Sequence, residues 1–225
     1  MTIVTLVMTG FLAVGGGAEL EAARDRQDAA ALSAKMAEAL AVAAKSPDNA
    51  EAQYRAALAC SYLAEVYMER HDRKQARQVA EQGFKPGERA VALAPGNAEF
   101  YRVLGTLYGQ AVTDLVSGLS YGPKARDAVN RAVELAPTSA AMYVARGVGN
   151  YYLPAAMGGG AEKAIADFRK AIALNPRDAE AYLWLGVALR KLNRDAEARQ
   201  AFQKSLQLNP SRLWAKQQLE KTSGQ

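Results

Sequence analysis

Three places in this 225-residue chain hold residue types that could do chemistry. His71, the only histidine, stands beside Asp72 in the polar stretch MERHDRKQ. A base next to an orienting carboxylate is part of a proton- or acyl-transfer site. Such a site also needs a nucleophile in reach, and nothing in the sequence groups one with this pair. It reads as a solvated turn. Gly158 to Gly160 precede a helical run that contains Lys163, so their N–H groups could meet an anion at a helix N-terminus. They lack the Gly-Lys-Ser/Thr ending of a phosphate loop, and no strand precedes them. A flexible turn is the preferred reading, and replacing all three glycines by alanine is expected to cost little. Cys60, the only cysteine, and His71 cannot form an intramolecular disulfide or a four-ligand Cys/His zinc site. No catalytic residue, cofactor or metal is expected, and an uncharacterised enzyme is the weakest reading.

The elements that would position any site are helical. With 50% apolar and 23% charged residues the chain has ample material for a core. Its +5 formal charge is spread among acidic residues rather than gathered in a block, which reads as solvated helix faces; no nucleic acid partner is expected. Residues 1–18, MTIVTLVMTGFLAVGGGA, carry no charged side chain, and the apolar run from Ile3 to Val14 suits a signal-peptide core but is short for a bilayer span. The expectation is an exported, periplasmic protein with a mature chain from about Glu19. A buried N-terminal helix in a cytoplasmic protein and a retained membrane anchor are the other readings. No stable span is expected in the mature chain.

Beyond that segment a pattern recurs. The stretch Ala179 to Pro210 carries Tyr182, Leu185, Gly186 and Leu189 in one helical run, then Ala198 and Phe202 in a second, then Pro210. The second half returns upstream as Ala164, Phe168, Ala171, Pro176 and as Ala125, Val129, Ala132, Pro137. These spacings resemble the tetratricopeptide repeat, W-x2-L-G-x2-Y, A-x3-F, P. The resemblance implies an all-α, right-handed solenoid of antiparallel helix hairpins, about four in residues 49–95, 96–137, 138–176 and 177–210. A helix within 19–45 covers one end and a capping helix at 211–222 the other, all in a single domain, 19–225. Within the cap, Trp214 and Leu219 are expected to face the last repeat, and Lys216, Gln217 and Gln218 to face water.

The departures from the pattern are informative. Terminal prolines lie 42 residues apart between Pro95 and Pro137 and 39 between Pro137 and Pro176, against 34 between Pro176 and Pro210. The extra length predicts lengthened turns inside the hairpins, at 117–124, where a first helix extended to about Ser117 is followed by a Gly-Pro turn at Gly122 and Pro123, and at 153–160. In the third hairpin, aligning Gly147 with the repeat glycine puts Arg146 and Asn150 at positions normally apolar. Shifting by one residue puts Val148 and Tyr151 there, and the shifted frame is preferred because it buries apolar groups. Gly83, Pro86 and Gly87 predict a kink near Phe84 to Gly87.

The resemblance also implies a function, a scaffold or adaptor that holds a peptide or helix of a protein partner on the concave face formed by the first helices. By analogy that face comprises Glu99, Arg102, Thr106 and Gln110 in the second hairpin, Val144 and Tyr152 in the third, and Glu180, Leu183, Val187, Arg190 and Lys191 in the fourth. Members that hold chaperone C-termini use a Lys and Asn clamp there. Leu183 and Val187 stand in the corresponding places, so that activity is not implied. The alternative is a solute-handling accessory subunit of a bacterial transport system, with long helices around an apolar channel and a small-molecule ligand.

Overall fold

The computed structural model describes residues 15–223 as twelve α-helices, with no strand among the described residues. The expected signal-peptide core, residues 3–14, lies outside them. The helices are α1 Gly15–Asp25, α2 Ala29–Lys45, α3 Ala50–Glu69, α4 Arg73–Gln82, α5 Phe84–Leu93, α6 Ala98–Gln110 and α7 Leu115–Leu135. They continue with α8 Ala140–Tyr152, α9 Ala161–Leu174, α10 Ala179–Lys191, α11 Asp195–Leu208 and α12 Leu213–Ser223. Short polar side chains start many of them. Asp28, Asn49, Asp72, Asn97, Asp114 and Asp178 each accept a hydrogen bond from a backbone N–H in the first turn.

Neighbouring helices pair as antiparallel hairpins: α2 with α3, α3 with the α4–α5 run, α6 with α7, α8 with α9 and α10 with α11. The first helices α3, α6, α8 and α10 contact one another in sequence order, which makes a solenoid. Close approach within hairpins depends on small residues. A methyl on Gly186 would stand 2.5 Å from the Phe202 ring, and one on Gly147 would stand 2.4 Å from the Phe168 ring. Gly147 is therefore the repeat glycine, and the shifted frame is corrected.

The break in the second helix of the first hairpin falls at Gly83, next to the predicted Phe84 to Gly87. Pro86 then lies in the first turn of α5, where an absent N–H breaks no bond. The expected Gly-Pro turn at Gly122 and Pro123 is instead inside α7. That helix is fixed seven residues earlier by a reciprocal cap, in which Asp114 accepts from the Ser117 N–H and Ser117 Oγ accepts from the Asp114 N–H. The first helix of this hairpin ends at Gln110 rather than running on to Ser117.

The 153–160 turn is ordered. Leu153 leads into a 3₁₀ turn, Ala155–Met157, and the Gly160 N–H donates to the Asn150 carbonyl at 2.8 Å. Gly158 (φ 87°) and Gly160 (φ 105°, ψ 162°) occupy backbone regions that alanine enters only with strain, and a methyl on Gly159 would stand 2.4 Å from the Leu153 carbonyl oxygen. The expectation that these glycines are interchangeable with alanine is corrected.

Candidate partner-binding surface

The inner face of the solenoid is where the resemblance places a partner, and helix α1 packs against its first member, α3, and reaches Glu180 of α10. Gln27 (φ 54°) breaks the N-terminal helical run between α1 and α2. It folds α1 back against α2 and α3, so the expected helix within 19–45 is two helices. Leu20 and Ala23 of α1 enter the core beside Leu32, Leu58 and Leu63. The polar end of α1 reaches the far end of the chain. Asn209 donates to Asp25 at 2.8 Å, Gln27 bonds Gln217 at 3.3 Å, and Gln27 also bonds Glu69 at the end of α3.

An ionic cluster fills the junction. Arg212, fully buried, pairs with Glu65 (2.7 Å) and Glu69 of α3, with Glu180 of α10 (2.8 Å) and with Asp25 (3.7 Å). Arg24, also buried, pairs with Asp25 and with Glu180 at 3.3 Å and stacks over the Tyr62 ring. Buried charges persist when paired and hydrogen-bonded in this way. Burial pushes the Glu69 carboxyl up to about 7 against the pull of Arg212, and it raises Glu65 as well. Burial also penalises the Glu180 carboxylate, but Arg212 and Arg24 outweigh it and hold that group below its usual value. Next to the cluster Tyr151, Tyr152, Trp184 and Trp214 form an aromatic group, with Arg212 over the Trp214 ring. The solenoid thus closes on itself: the end of α1 and the α1–α2 turn meet the end of α11 and α12 across residues more than 180 positions apart.

The expected partner residues divide accordingly. Leu183 and Val187 are core, packed with Trp184, Ile165 and Phe168; Gln110 is buried and donates to the Ser61 carbonyl. These three offer no surface, because the neighbouring helices cover their positions. Glu180 is committed to the two arginines, and Arg190 reaches Gln218 at 2.6 Å. Gln218 is accordingly buried, not solvent-facing as expected, while Lys216 is exposed and Trp214 is packed. Glu99 and Arg102 form an ion pair to which the Tyr54 hydroxyl donates at 3.0 Å. They remain half-buried, as do Thr106 and Val144. Tyr152 (53% exposed) and Lys191, which donates to the Tyr151 carbonyl at 2.9 Å, are open. An accessible strip therefore crosses α6 and α8 toward the end of α10.

The third hairpin carries a group that the apolar-frame reading missed. Asp167, nearly buried on α9, accepts from Arg146 (2.6 Å) and Asn150 (2.8 Å) of α8. Asp167 is the counterpart of Ala201 in the next repeat, and a carboxylate opposite an arginine and an asparagine was the available signal.

Nothing resembling a catalytic group assembles around His71. It is exposed with φ 63° in the α3–α4 turn, and the Asp72 carboxylate caps α4. Cys60 is buried and its thiol is pushed up to about 12 by that burial. Lys163 donates to the Gly158 carbonyl, so the triple-glycine turn is tied to its own helix. Among the described residues no cluster of His, Cys, Asp or Glu is arranged to hold a metal ion, and no helix is long and apolar enough to cross a membrane.

Comparison with known proteins agrees with this architecture. Residues 158–212 match the tetratricopeptide repeat, and residues 20–154 match the family described as Regulator of microtubule dynamics protein 1-3. No curated protein matches. Among solved structures, the thermophilic tetratricopeptide-repeat protein TTC0263 of Thermus thermophilus is 24% identical, with 92% of this chain and 95% of that one covered and a TM-score of 0.62. The Arabidopsis OM64 repeat domain is 23% identical, covering 56% of this chain and 93% of that one at a TM-score of 0.47. The first repeat domain of Spaghetti (RPAP3), solved with an HSP90 peptide, is 21% identical, covering 56% and 90% at a TM-score of 0.46. The solenoid is a tetratricopeptide-repeat fold, and the chain belongs to the Regulator of microtubule dynamics protein 1-3 family, whose pattern spans more than half of its length.

Proposed function

We propose that the chain is a protein-interaction scaffold that binds a peptide or helix of a partner on its inner face. The observation that carries this reading is the seat of α1. The inner face already holds a helix through core apolar contacts at Leu20 and Ala23 and through ion pairs at Arg24, so its chemistry suits helix capture. The half-buried Glu99, Arg102, Thr106 and Val144 and the exposed Tyr152 and Lys191 are the surface left for a second occupant. A photo-crosslinking residue at Thr106 or Tyr152 of the full chain should give a defined protein adduct in cells, and one at exposed Gln203 on α11 should not. Equal labelling, or none from the inner positions, contradicts the proposal.

The cell envelope is the proposed location, on the strength of the uncharged, apolar residues 1–18. Cleavage after Ala18 would remove the first turn of α1 and spare Arg24 and Asp25. Intact mass from an exporting host should show that loss, and an unprocessed chain contradicts export.

A second reading follows from the family's name. A cationic chain of net charge +5 suits an acidic polymer such as a microtubule. Co-pelleting with polymerised tubulin that salt abolishes would favour it, and a chain left in the supernatant would remove it. The solute-carrier alternative is less favoured. Ion pairs and aromatic rings fill the space between the first helices, and a surface depression beside α4 is lined by Arg73, Lys74, Arg77 and Glu81.

A further inference from the structure

The second hairpin differs from the two that follow it in one dimension. Helix α7 has 21 residues, while α9 and α11, the matching helices of the next two hairpins, have 14. All three end two residues before a proline, Pro137, Pro176 or Pro210. The excess over the third and fourth hairpins therefore stands at the N-terminal end of α7, where about seven residues extend roughly 10 Å farther; the α4–α5 run beside it, residues 73–93, is as long. A projecting helix end is normally polar. Here Leu115, Val116 and Leu119 are 79%, 75% and 67% exposed, and Val112 in the preceding turn is also exposed.

The flank of this tip is cationic. Helix α4 lies against its root, where Arg77 pairs with Asp114 at 3.3 Å and Tyr121 donates to Glu81 at 3.3 Å. The acidic groups here are engaged: Asp72 caps α4, and Glu81 and Asp114 pair with Arg77. Arg73 and Lys74, exposed on α4, make no ion pair among the described residues, and Lys124 on α7 is exposed beside the Tyr108 ring. Arg73, Lys74, Arg77 and Lys124 thus stand against Asp72, Glu81 and Asp114, an excess of one cation around the tip, and Arg73 and Lys74 are the ones free of a carboxylate partner among the described residues.

We propose that the α7 tip, with Arg73 and Lys74, docks the protein on an anionic lipid surface. Leu115, Val116 and Leu119 enter the headgroup boundary while the two cations meet lipid phosphates. The size of the patch separates this occupant from a second copy. The patch has four exposed apolar side chains, against the roughly 20–30 residues a side of a stable interface, while a few apolar side chains beside cations are enough for interfacial binding.

Flotation of the full chain with phosphatidylcholine vesicles, and with vesicles of equal parts phosphatidylcholine and phosphatidylglycerol, tests the proposal. The chain should float with the anionic vesicles in preference to the neutral ones. Leu115→Glu with Leu119→Glu should lower partitioning by roughly tenfold or more, and Arg73→Glu with Lys74→Glu by several-fold, with circular dichroism unchanged. These variants leave the uncharged residues 1–14 in place, so flotation that survives Leu115→Glu with Leu119→Glu places the lipid contact elsewhere and overturns the proposal. It also falls if the wild type stays unbound, if neutral and anionic vesicles bind equally, or if that pair of substitutions only dissociates a dimer or releases a protein partner.

Discussion

In the third hairpin Gly147 lies against the ring of Phe168, and in the fourth Gly186 lies against Phe202, at nearly the same separation. Around that shared contact the chemistry is opposite. The fourth hairpin places Leu185, Leu189 and Ala201 where the third places Arg146, Asn150 and Asp167. The turns differ as well. Asn193 alone takes the left-handed conformation in the fourth, while Gly158 and Gly160 do so across the eight residues of the third. The backbone arrangement thus depends on the glycine and the ring, and the flanking positions accept an apolar group or a satisfied polar one.

The sharpest way to break this comparison is at the glycines. Gly147→Ala and Gly186→Ala should each cost about 2–3 kcal/mol in chemical denaturation, because a rigid ring must move. Costs that differ by more than half would show that the two contacts are not equivalent. Next, Asp167→Ala should cost about 2 kcal/mol, reduced from the value for a fully buried pair because Arg146 is about a third exposed. The triple change Arg146→Leu, Asn150→Leu, Asp167→Ala, which copies the fourth hairpin, should recover most of that loss. If it instead proves much worse than Asp167→Ala alone, the hairpins differ in more than these side chains. Gly160→Ala should cost about 1–2 kcal/mol, and Asn193→Gly should change stability by less than about 0.5 kcal/mol.

The hairpins differ also in their share of the ionic cluster, which takes Glu180 from the fourth and no side chain from the third. Within that cluster Glu69 is held near 7, above its unfolded value, so the folded state retains a proton that the unfolded state has lost. That contribution is present below about pH 4.5 and is lost as pH rises toward 7, with a slope of no more than about 1.4 kcal/mol per pH unit. Glu69→Gln should flatten stability across this window, and an unchanged slope would assign the titration to another group.

Particular residues show what could be read from the sequence and what could not. The fourth hairpin was legible because Leu185, Gly186, Leu189, Ala198 and Phe202 combine apolar periodicity with two small residues. The third was misread in frame because a preference for apolar groups favoured Val148 and Tyr151, while the true frame buries a carboxylate that closes with an arginine 21 residues away. The α7 cap depends on Asp114 and Ser117, a reciprocal pair without the usual Glu or Gln, and it outweighed the Gly122-Pro123 signal. Closure of the solenoid left no periodic trace. Arg24, Glu65, Glu69 and Arg212 look like solvated helix-face charges until contacts 143 to 147 residues apart bring Arg212 to Glu69 and Glu65. Leu183 and Val187, on the expected inner face, are core because side chains of α9, α11 and α12 cluster with them.

That closure underlies the reading of the inner face as a seat for helices, and its most direct test is the coupling between the two ends. A double-mutant cycle with Asp25→Ala and Asn209→Ala, followed by denaturant unfolding of the full chain, should give an interaction energy of about 1 kcal/mol. Losses that add to within about 0.3 kcal/mol would show that the ends do not meet in solution, and would contradict the closed solenoid.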